Sequence, residues 1–416
     1  MCLLWWMEKR LDTKVKILLI GYGAVGEVIA GLFAHRKEVE SLLCVDYMEK
    51  KVINNPKISF KRLDMSNKTS FFELLKTHKF DLVINTATPR FNLLIMDGCL
   101  QAKSDYMDLA SMWDPDPSGK PWSPNIHDKL KSPYKVEEFD YKDRFEEARI
   151  KGLIVAGVSP GLTNLFVREA AEYLDKIEHV KIRLIDYSGT EELYFAWSKE
   201  GLLDEIACKP LVYESGKYEI MEPFSGEEKF VYPSPYRKQK VNLICQDEIG
   251  TLPFFIKADK IDIKDYDNLV NYHKSLYTLG LVSKGKIQIK GVEISPMEFA
   301  CKVLPDVPTN LGDNKYEKAQ FGFVIELTGL KGKKKEAIRY EVMFPKQGEI
   351  NKMKLNANFI SYPTALSASL FALAVPKICS VGVFPPECLE KEVRNFIIEQ
   401  LPKHKVKVRR KVYSLK

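Results

Sequence analysis

One glycine-rich turn constrains this chain more than any other feature. Gly21-Tyr22-Gly23-Ala24-Val25-Gly26 fits G-x-G-x-x-G, and it follows a β-branched run over residues 14–20 and precedes a helical pattern over 27–34. In that setting Gly21 permits the tight turn, Gly23 leaves room for a diphosphate, and Gly26 lets helix pack on strand. The helix N-terminus then presents unpaired N–H groups to the anion. Tyr22, Ala24 and Val25 supply the intervening backbone. Asp46, twenty residues beyond Gly26, closes a second apolar strand over 41–45. A carboxylate there accepts from both ribose hydroxyls of NAD and repels the 2′-phosphate of NADP. NAD is therefore the expected cofactor, with NADP possible through Lys50 or Lys51.

The pattern continues as alternating strands and helices. Strands are expected at 58–63, 81–85 and 106–109, with helices starting near Asn67 or Thr69 and over 93–102. Near-continuous apolar strands between helices imply a Rossmann-like, doubly wound parallel sheet covered on both faces, so the fold class is α/β. Asp64 ends the third strand, where it can face the adenine or cap the next helix. The loop Asn85-Thr86-Ala87, followed by Thr88 and Pro89, opens at the carboxyl edge of the sheet, where ligands bind in such folds.

From 178 onward the pattern turns strand-rich, at 181–186, 211–214, 217–221 and 240–245. Runs at 321–327 and 338–344, around a turn at 329–335, read as an antiparallel hairpin. The chain thus changes character after the nucleotide-binding segment, and a basic tail runs over 401–416. Within that tail, 405–409 alternates charge and valine as a protected edge strand does.

Charge and cysteines exclude several classes. The formal net charge is +7, and the basic residues after position 402, with no acid among them, account for all of it. The body is neutral, so a nucleic-acid face is not expected. The eight cysteines, at 2, 44, 99, 208, 245, 301, 379 and 388, form no Cys-x-x-Cys pair and no metal-ligand set. They read as reduced thiols of a cytoplasmic protein. The apolar start, residues 1–7, is far shorter than the ~20 residues a spanning helix needs, and no membrane association is expected.

Several later segments resemble the saccharopine dehydrogenase family. Gly152-Leu-Ile-Val-Ala-Gly-Val-Ser-Pro-Gly-Leu-Thr-Asn164 is similar to its strand and G-x-x-P-G turn, and Phe195-Ala-Trp-Ser-Lys-Glu-Gly201 to its Phe-x-Trp-Ser stretch. Tyr213, Gly216 and Lys217 resemble its hairpin, and Tyr277-Thr-Leu-Gly-Leu281 its helix end. Tyr362-Pro-Thr-Ala365 through Gly382-Val-Phe-Pro-Pro386 resembles its closing helix and strand. Homospermidine synthase and carboxynorspermidine dehydrogenase share this architecture. The resemblance implies a split nucleotide-binding domain over 14–157 and 358–400, with an α+β substrate-binding and dimerisation domain over 158–357 inserted in it. It implies hydride transfer at a C–N bond of an amino-acid or polyamine substrate, in a homodimer. It also leaves open a polyamine synthase that keeps NAD as a hydride-cycling prosthetic group, and an NAD-sensing protein without turnover.

By position, Ser159, Gly161, Asn164, Trp197 and Ser198 are the expected substrate contacts, and Asp108 and Asp143 the proton-transfer candidates. The fungal reductases' turn reads Asp-Pro-Gly-x-Asp-His, whereas this chain has Ser159-Pro160-Gly161-Leu162-Thr163-Asn164. Neutral groups replace two acids and a histidine there, so saccharopine itself is expected to be held less strongly. Residues 111–135 hold five prolines with Trp113 and Trp122, and are expected to form a wall over the substrate, with His127 in it.

Overall fold

The computed structural model describes residues 14–111, 130–307 and 316–415. Most of the proline-rich segment expected to wall the substrate, with Trp113, Trp122 and His127, therefore lies outside the described residues. The chain divides into two compact units. One runs through Arg168 and takes in Gly250–Phe255 and Tyr362–His404; the other holds Glu169–Ile249, Ile256–Ser361 and the chain from Lys405 on.

The first unit is built on β1 (Val15–Ile20), β2 (Val39–Asp46), β3 (Ile58–Arg62), β4 (Leu82–Asn85), β5 (Asp105–Asp108) and β6 (Lys151–Leu153). A late strand, Gly382–Phe384, completes an all-parallel sheet at its β6 edge. From β1 the chain steps outward to β2 and β3, then returns to place β4 on the other side of β1. The order reverses there, so a crevice opens beside the end of β1. Five of the six β1 residues are buried, which requires helices on both faces. Those helices include α1 (Ala24–Phe33), α2 (Lys68–Thr77), α3 (Asn92–Ala102) and α4 (Lys142–Ala148), and α5 (Leu162–Ala171) starts in this unit. Leu18, Phe71, Val83, Ile95, Tyr106 and Phe145 belong to the core they enclose.

The second unit centres on two long parallel strands, β7 (Lys176–Tyr187) and, later, Ala258–Asp267. Between them come β8 (Leu211–Glu214), β9 (Lys217–Ile220), β10 (Glu228–Val231) and β11 (Lys238–Leu243), so the later strand is β12. A small separate hairpin, β13 (Ile287–Ile289) with β14 (Val292–Ile294), follows. The expected long hairpin is present as β15 (Gln320–Lys331) and β16 (Lys334–Met343), with a tighter turn than the sequence suggests, since Lys331 pairs with Lys334. Gly332 takes the left-handed conformation there, at φ +58°. With the first sheet's late strand as β17 (Gly382–Phe384), the chain ends in β18 (Lys407–Ser414), the edge beyond β16.

The second half of the basic tail is therefore a strand, and side chains on it find partners in the sheet. Lys411 Nζ lies 2.8 Å from Glu341, and the Tyr413 hydroxyl donates to Glu326 at 2.7 Å. Arg339 lies 3.0 Å from both of those acids. A positive run that looks excessive in sequence is thus partly neutralised by buried acids. Helices α6 (Lys199–Ala207), α8 (Val270–Thr278) and α9 (Pro296–Val303) pack together through Leu203, Ile206, Leu276, Met297 and Ala300, while α7 (Glu248–Phe255) starts in this unit and ends in the other.

Candidate active site

In the first unit the glycine turn has the geometry its spacing predicts. Gly21 sits at φ +94°, and a Cβ there would fall 2.7 Å from the Ala87 nitrogen. At Gly26 a Cβ would meet the Gly21 carbonyl oxygen at 2.0 Å, so only glycine lets α1 approach the turn. Around Gly23, by contrast, nothing lies within 4 Å of where a Cβ would stand. Gly23 is also the exposed N-cap of α1, without a capping side chain, so the first N–H groups of α1 face an open space that an anion can enter. The residues present thus fit a dinucleotide.

The surrounding loops lock together. Asp46 at the end of β2 accepts from the Tyr22 N–H at 2.8 Å and the Met48 N–H at 3.0 Å, which holds its carboxylate against the turn. Thr86 donates to the Gly21 carbonyl at 2.7 Å and the Ile20 carbonyl at 3.0 Å. Asn85 accepts from the Ala87 N–H at 3.0 Å, shaping the loop that faces the turn. Ala24 is exposed and Val25 half-buried at the start of α1. Asp64 is exposed, and its carboxylate takes the Ser66 N–H, which holds its pKa below the usual range. The N-cap of α2 is instead Asn67, which accepts from Ser70.

Other expected site residues have different partners. Asp108 is buried at the end of β5, where one carboxylate oxygen accepts from the Val155 N–H at 2.6 Å. Asp143 is exposed on α4. After the half-buried Ser159, Gly161 sits at φ +126° with the Gly157 oxygen 2.3 Å from its Cβ position. The Gly161 N–H donates to Asn164 Oδ1 at 3.0 Å. Asn164 is fully buried, and its amide donates to Thr251 at 3.2 Å and Glu387 at 3.0 Å. Its polar atoms are spent inside the core rather than on a substrate. Ser198, expected to touch substrate, caps α6 by accepting from the Gly201 N–H at 3.2 Å.

Trp197 belongs to a different constellation, a cavity of about 80 Å³ in the second unit. Around it stand Asp186, Glu205, Asp265, Asp267 and His273, with Trp197 and Phe224 as apolar walls. Strand register explains the acids. Asp186 on β7 lies directly across from Asp267 on β12. Asp265 is two residues before Asp267 and so shares its face. Packing of α6 against α8 brings in Glu205 and His273.

The electrostatics are extreme for so small a volume. Burial, with Asp186 and Asp247 adding repulsion, pushes the Glu205 carboxyl up to about 8. Asp186 is pushed to about 7 by burial and then by Asp267. Asp265 is raised by burial first and by the other three acids after it. His273 is also raised: burial opposes its charge, but Asp267, Asp186 and Glu205 outweigh it. Its Nδ1 stands 2.7 Å from Asp267, and its Nε2 has no partner among the described residues. Four acids face a single imidazole there, and a protonated amine is a ligand whose charge such a cluster favours.

None of these five groups was singled out in the sequence. The Asp265-Tyr266-Asp267 alternation on a strand was the available signal, but only the β7–β12 pairing and the α6–α8 packing join it to the rest. The cavity edge also carries a Cys208–Cys245 disulfide, which corrects the expectation that the cysteines are all reduced. The pairing joins the end of α6 to the segment after β11, two places far apart in sequence. Beside it Gln246 donates to Glu205 at 2.9 Å. Among the described residues no three His, Cys, Asp or Glu side chains are arranged to hold a metal ion.

Comparison with known proteins finds matches along both parts of the chain. Residues 17–153 match the saccharopine dehydrogenase NADP binding domain, and residues 157–406 match the saccharopine dehydrogenase C-terminal domain. The chain is 26% identical over 392 residues to the carboxyaminopropylagmatine dehydrogenase of Synechocystis, covering 91% of this chain and 93% of that protein. It is 27% identical over 402 residues to the carboxynorspermidine synthase of Vibrio alginolyticus, covering 90% and 92%. Among solved structures, the L-Glu-forming saccharopine dehydrogenase of Saccharomyces cerevisiae aligns with a TM-score of 0.67 at 12% identity, over 96% of this chain and 100% of its own. The homospermidine synthase of Legionella pneumophila, solved with NAD, aligns at 0.68 and 14% identity, over 97% and 93%. At those identities the two structures speak to the fold.

Proposed function

The chain belongs to the saccharopine dehydrogenase family, NAD(P)-dependent oxidoreductases acting at C–N bonds, and from that premise we propose that it reductively joins an amino-acid-derived aldehyde to the primary amine of a polyamine. The observation that carries this reading is the acidic cavity of Asp186, Glu205, Asp265, Asp267 and His273, walled by Trp197. A cationic amine enters it because its charge compensates acids that otherwise stay protonated, and the Trp197 face adds a cation–π contact. The names of the two similar enzymes from Synechocystis and Vibrio, both of carboxylated polyamines, support the same substrate class.

The chemistry has two balanced stages. The amine nitrogen forms a bond to the aldehyde carbon and water leaves, giving an imine; a hydride then adds to the imine carbon and a proton to its nitrogen. A bound reduced nicotinamide supplies the hydride. The nucleotide-holding residues are Gly21, Gly23, Gly26, Asp46 and the loop Asn85-Thr86-Ala87. Glu205 and Asp186 hold the ammonium end of the amine. His273, oriented by Asp267, carries the proton through Nε2. Asp108 is committed to the Val155 N–H and Asp143 is on the surface, so neither is assigned the proton.

The test follows NADH and NADPH consumption with diamines and polyamines paired with carboxylated aldehydes. Glu205→Gln is expected to raise the amine KM about tenfold or more while leaving the cofactor KM in place, since a hydrogen bond to a charged group is worth about 1.5–3 kcal/mol. Unchanged amine kinetics in that variant would refute the cavity assignment. Amine exchange without net NAD(P)H consumption would favour the hydride-cycling synthase instead. Asp46 supports NAD over NADP, and Asp46→Ala is expected to narrow the difference between their dissociation constants.

No helix among the described residues is long and apolar enough to cross a membrane. Cys44, Cys99, Cys301, Cys379 and Cys388 stay free, which supports a cytoplasmic location that fractionation can test. We also infer a homodimer, as the family resemblance implies. Ile287, Ile289, Val292, Phe299 and Val303 offer exposed apolar surface for it, and sedimentation is the check.

A further inference from the structure

We propose that Glu138, outside the nucleotide crevice, is a positioning residue that fixes the orientation of two amides in series and through them the shape of the loop at Asn85–Thr88. The inference rests on that loop's role in holding the dinucleotide.

Glu138 lies in the single-turn helix Glu137–Tyr141 and is 1% exposed. Its Oε1 accepts from Asn92 Nδ2 at 2.6 Å. Asn92, at the first turn of α3, is equally buried, and the same nitrogen donates to the Ala110 carbonyl at 2.9 Å. Because both acceptors claim the Asn92 nitrogen, its oxygen must face the other way. That oxygen receives Asn85 Nδ2 at 2.6 Å. Asn85 Nδ2 also donates to the Thr88 carbonyl at 3.3 Å, which leaves Asn85 Oδ1 to accept from the Ala87 N–H at 3.0 Å.

The chain of donors has one direction, and Glu138 anchors it. An amide has a donor end and an acceptor end of nearly the same shape, so nothing steric prevents either asparagine from flipping. Glu138 Oε1 accepts, as the Ala110 carbonyl does, so the two together set Asn92, and Asn92 with the Thr88 carbonyl and the Ala87 N–H sets Asn85. If Asn92 flipped, its oxygen would face the Glu138 oxygen, and its nitrogen the Asn85 nitrogen, with all four groups buried. Each buried group left without a partner costs about 1–3 kcal/mol. Asn85 would follow, and its nitrogen would then meet the Ala87 N–H. Ala87 is the residue that closes against Gly21, whose Cβ position lies 2.7 Å from the Ala87 nitrogen. Direction set at Glu138 therefore reaches the floor of the glycine turn.

The experiment measures NADH dissociation constants by fluorescence on the full-length protein, with melting temperature alongside. Glu138→Gln keeps an acceptor and is expected to bind NADH within about threefold of wild type. Glu138→Met removes the acceptor at similar volume and is expected to weaken binding about tenfold, the loss of about 1.4 kcal/mol. Asn85→Asp places an oxygen against the Asn92 oxygen and is expected to weaken binding similarly. Adding Glu138→Gln to Asn85→Asp is expected to recover part of that loss, because the glutamine can donate to the oxygen of a flipped Asn92, at the expense of the Ala110 carbonyl contact alone. A general packing role for Glu138 predicts no such rescue. The proposal is overturned if Glu138→Met binds NADH as wild type does. It is equally overturned if the double variant binds no better than Asn85→Asp, a comparison that stands even if Glu138→Met fails to fold. Failure of wild type itself to bind NADH or NADPH would instead overturn the reading of the crevice.

Discussion

Glu387 carries a carboxyl in the fully buried interior of the nucleotide unit, and its neighbours compensate only part of the cost. Asn164 donates to it at 3.0 Å, Thr251 hydrogen-bonds it, and the Arg168 guanidinium binds its backbone carbonyl at 2.7 Å. Burial still raises the carboxyl from 4.5 to about 7. An acid whose folded pKa is raised stabilises the fold while protonated, so its contribution is complete below about 4.5 and is lost as pH rises through about 7. The shift corresponds to about 3 kcal/mol. Glu387→Gln is therefore expected to flatten the decline in stability between about pH 5 and pH 8, measured by urea midpoints. A variant with the wild-type decline would show that Glu387 is ionised throughout. Asn164, which binds this acid, also marks a limit of sequence reading. Its motif placed it correctly at a tight turn, but one asparagine can turn its amide inward or outward, and only packing decides.

In α6 the glycine at 201 is demanded by a ring. Its Cβ position lies 2.3 Å from the Trp197 side chain, so Trp197 rests on the helix where any larger residue would stand. Gly201→Ala is expected to displace Trp197 from the cavity wall and raise the amine KM several-fold. Helix propensity favours alanine by up to ~1 kcal/mol, so stability should not fall to match. A KM equal to wild type would mean the ring does not touch the amine. The same helix ends at the Cys208–Cys245 disulfide, which closes a loop with a sequence separation of 37. A cross-link of that span is worth about 2–4 kcal/mol. Reduction by dithiothreitol should lower the melting temperature and loosen the Gln246 to Glu205 hydrogen bond beside it, read as a higher amine KM; an identical melting curve would refute the pairing. Cysteine spacing did not reveal this bond, since cysteines 37 residues apart carry no local signature.

Across the whole molecule, the acids of the second unit make amine binding a titration. Glu205 and Asp186, raised to about 8 and about 7, are largely neutral at about pH 6 and ionise above it, while the amine remains charged. Binding is therefore expected to tighten from about pH 6 to pH 8.5 and to release protons. Calorimetry in buffers of different ionisation enthalpy measures both, and an affinity flat in pH would contradict the cavity's role. The tail shows why totals mislead: Lys411 and Tyr413 of β18 meet Glu341 and Glu326, and no sequence window holds both partners.

Sequence alone determined the glycine turn, its strand and helix, the acid at 46 and the alternation that makes a parallel sheet. Those features are local or periodic, and backbone sterics force them wherever they occur. Tertiary structure alone decided which carboxylates meet. Asp186, Glu205 and the Asp265–Asp267 pair come from three places in the chain, and their shared charge exists only after β7 pairs with β12 and α6 packs on α8. Electrostatic energy depends on distance through space, and distance along the chain does not fix it.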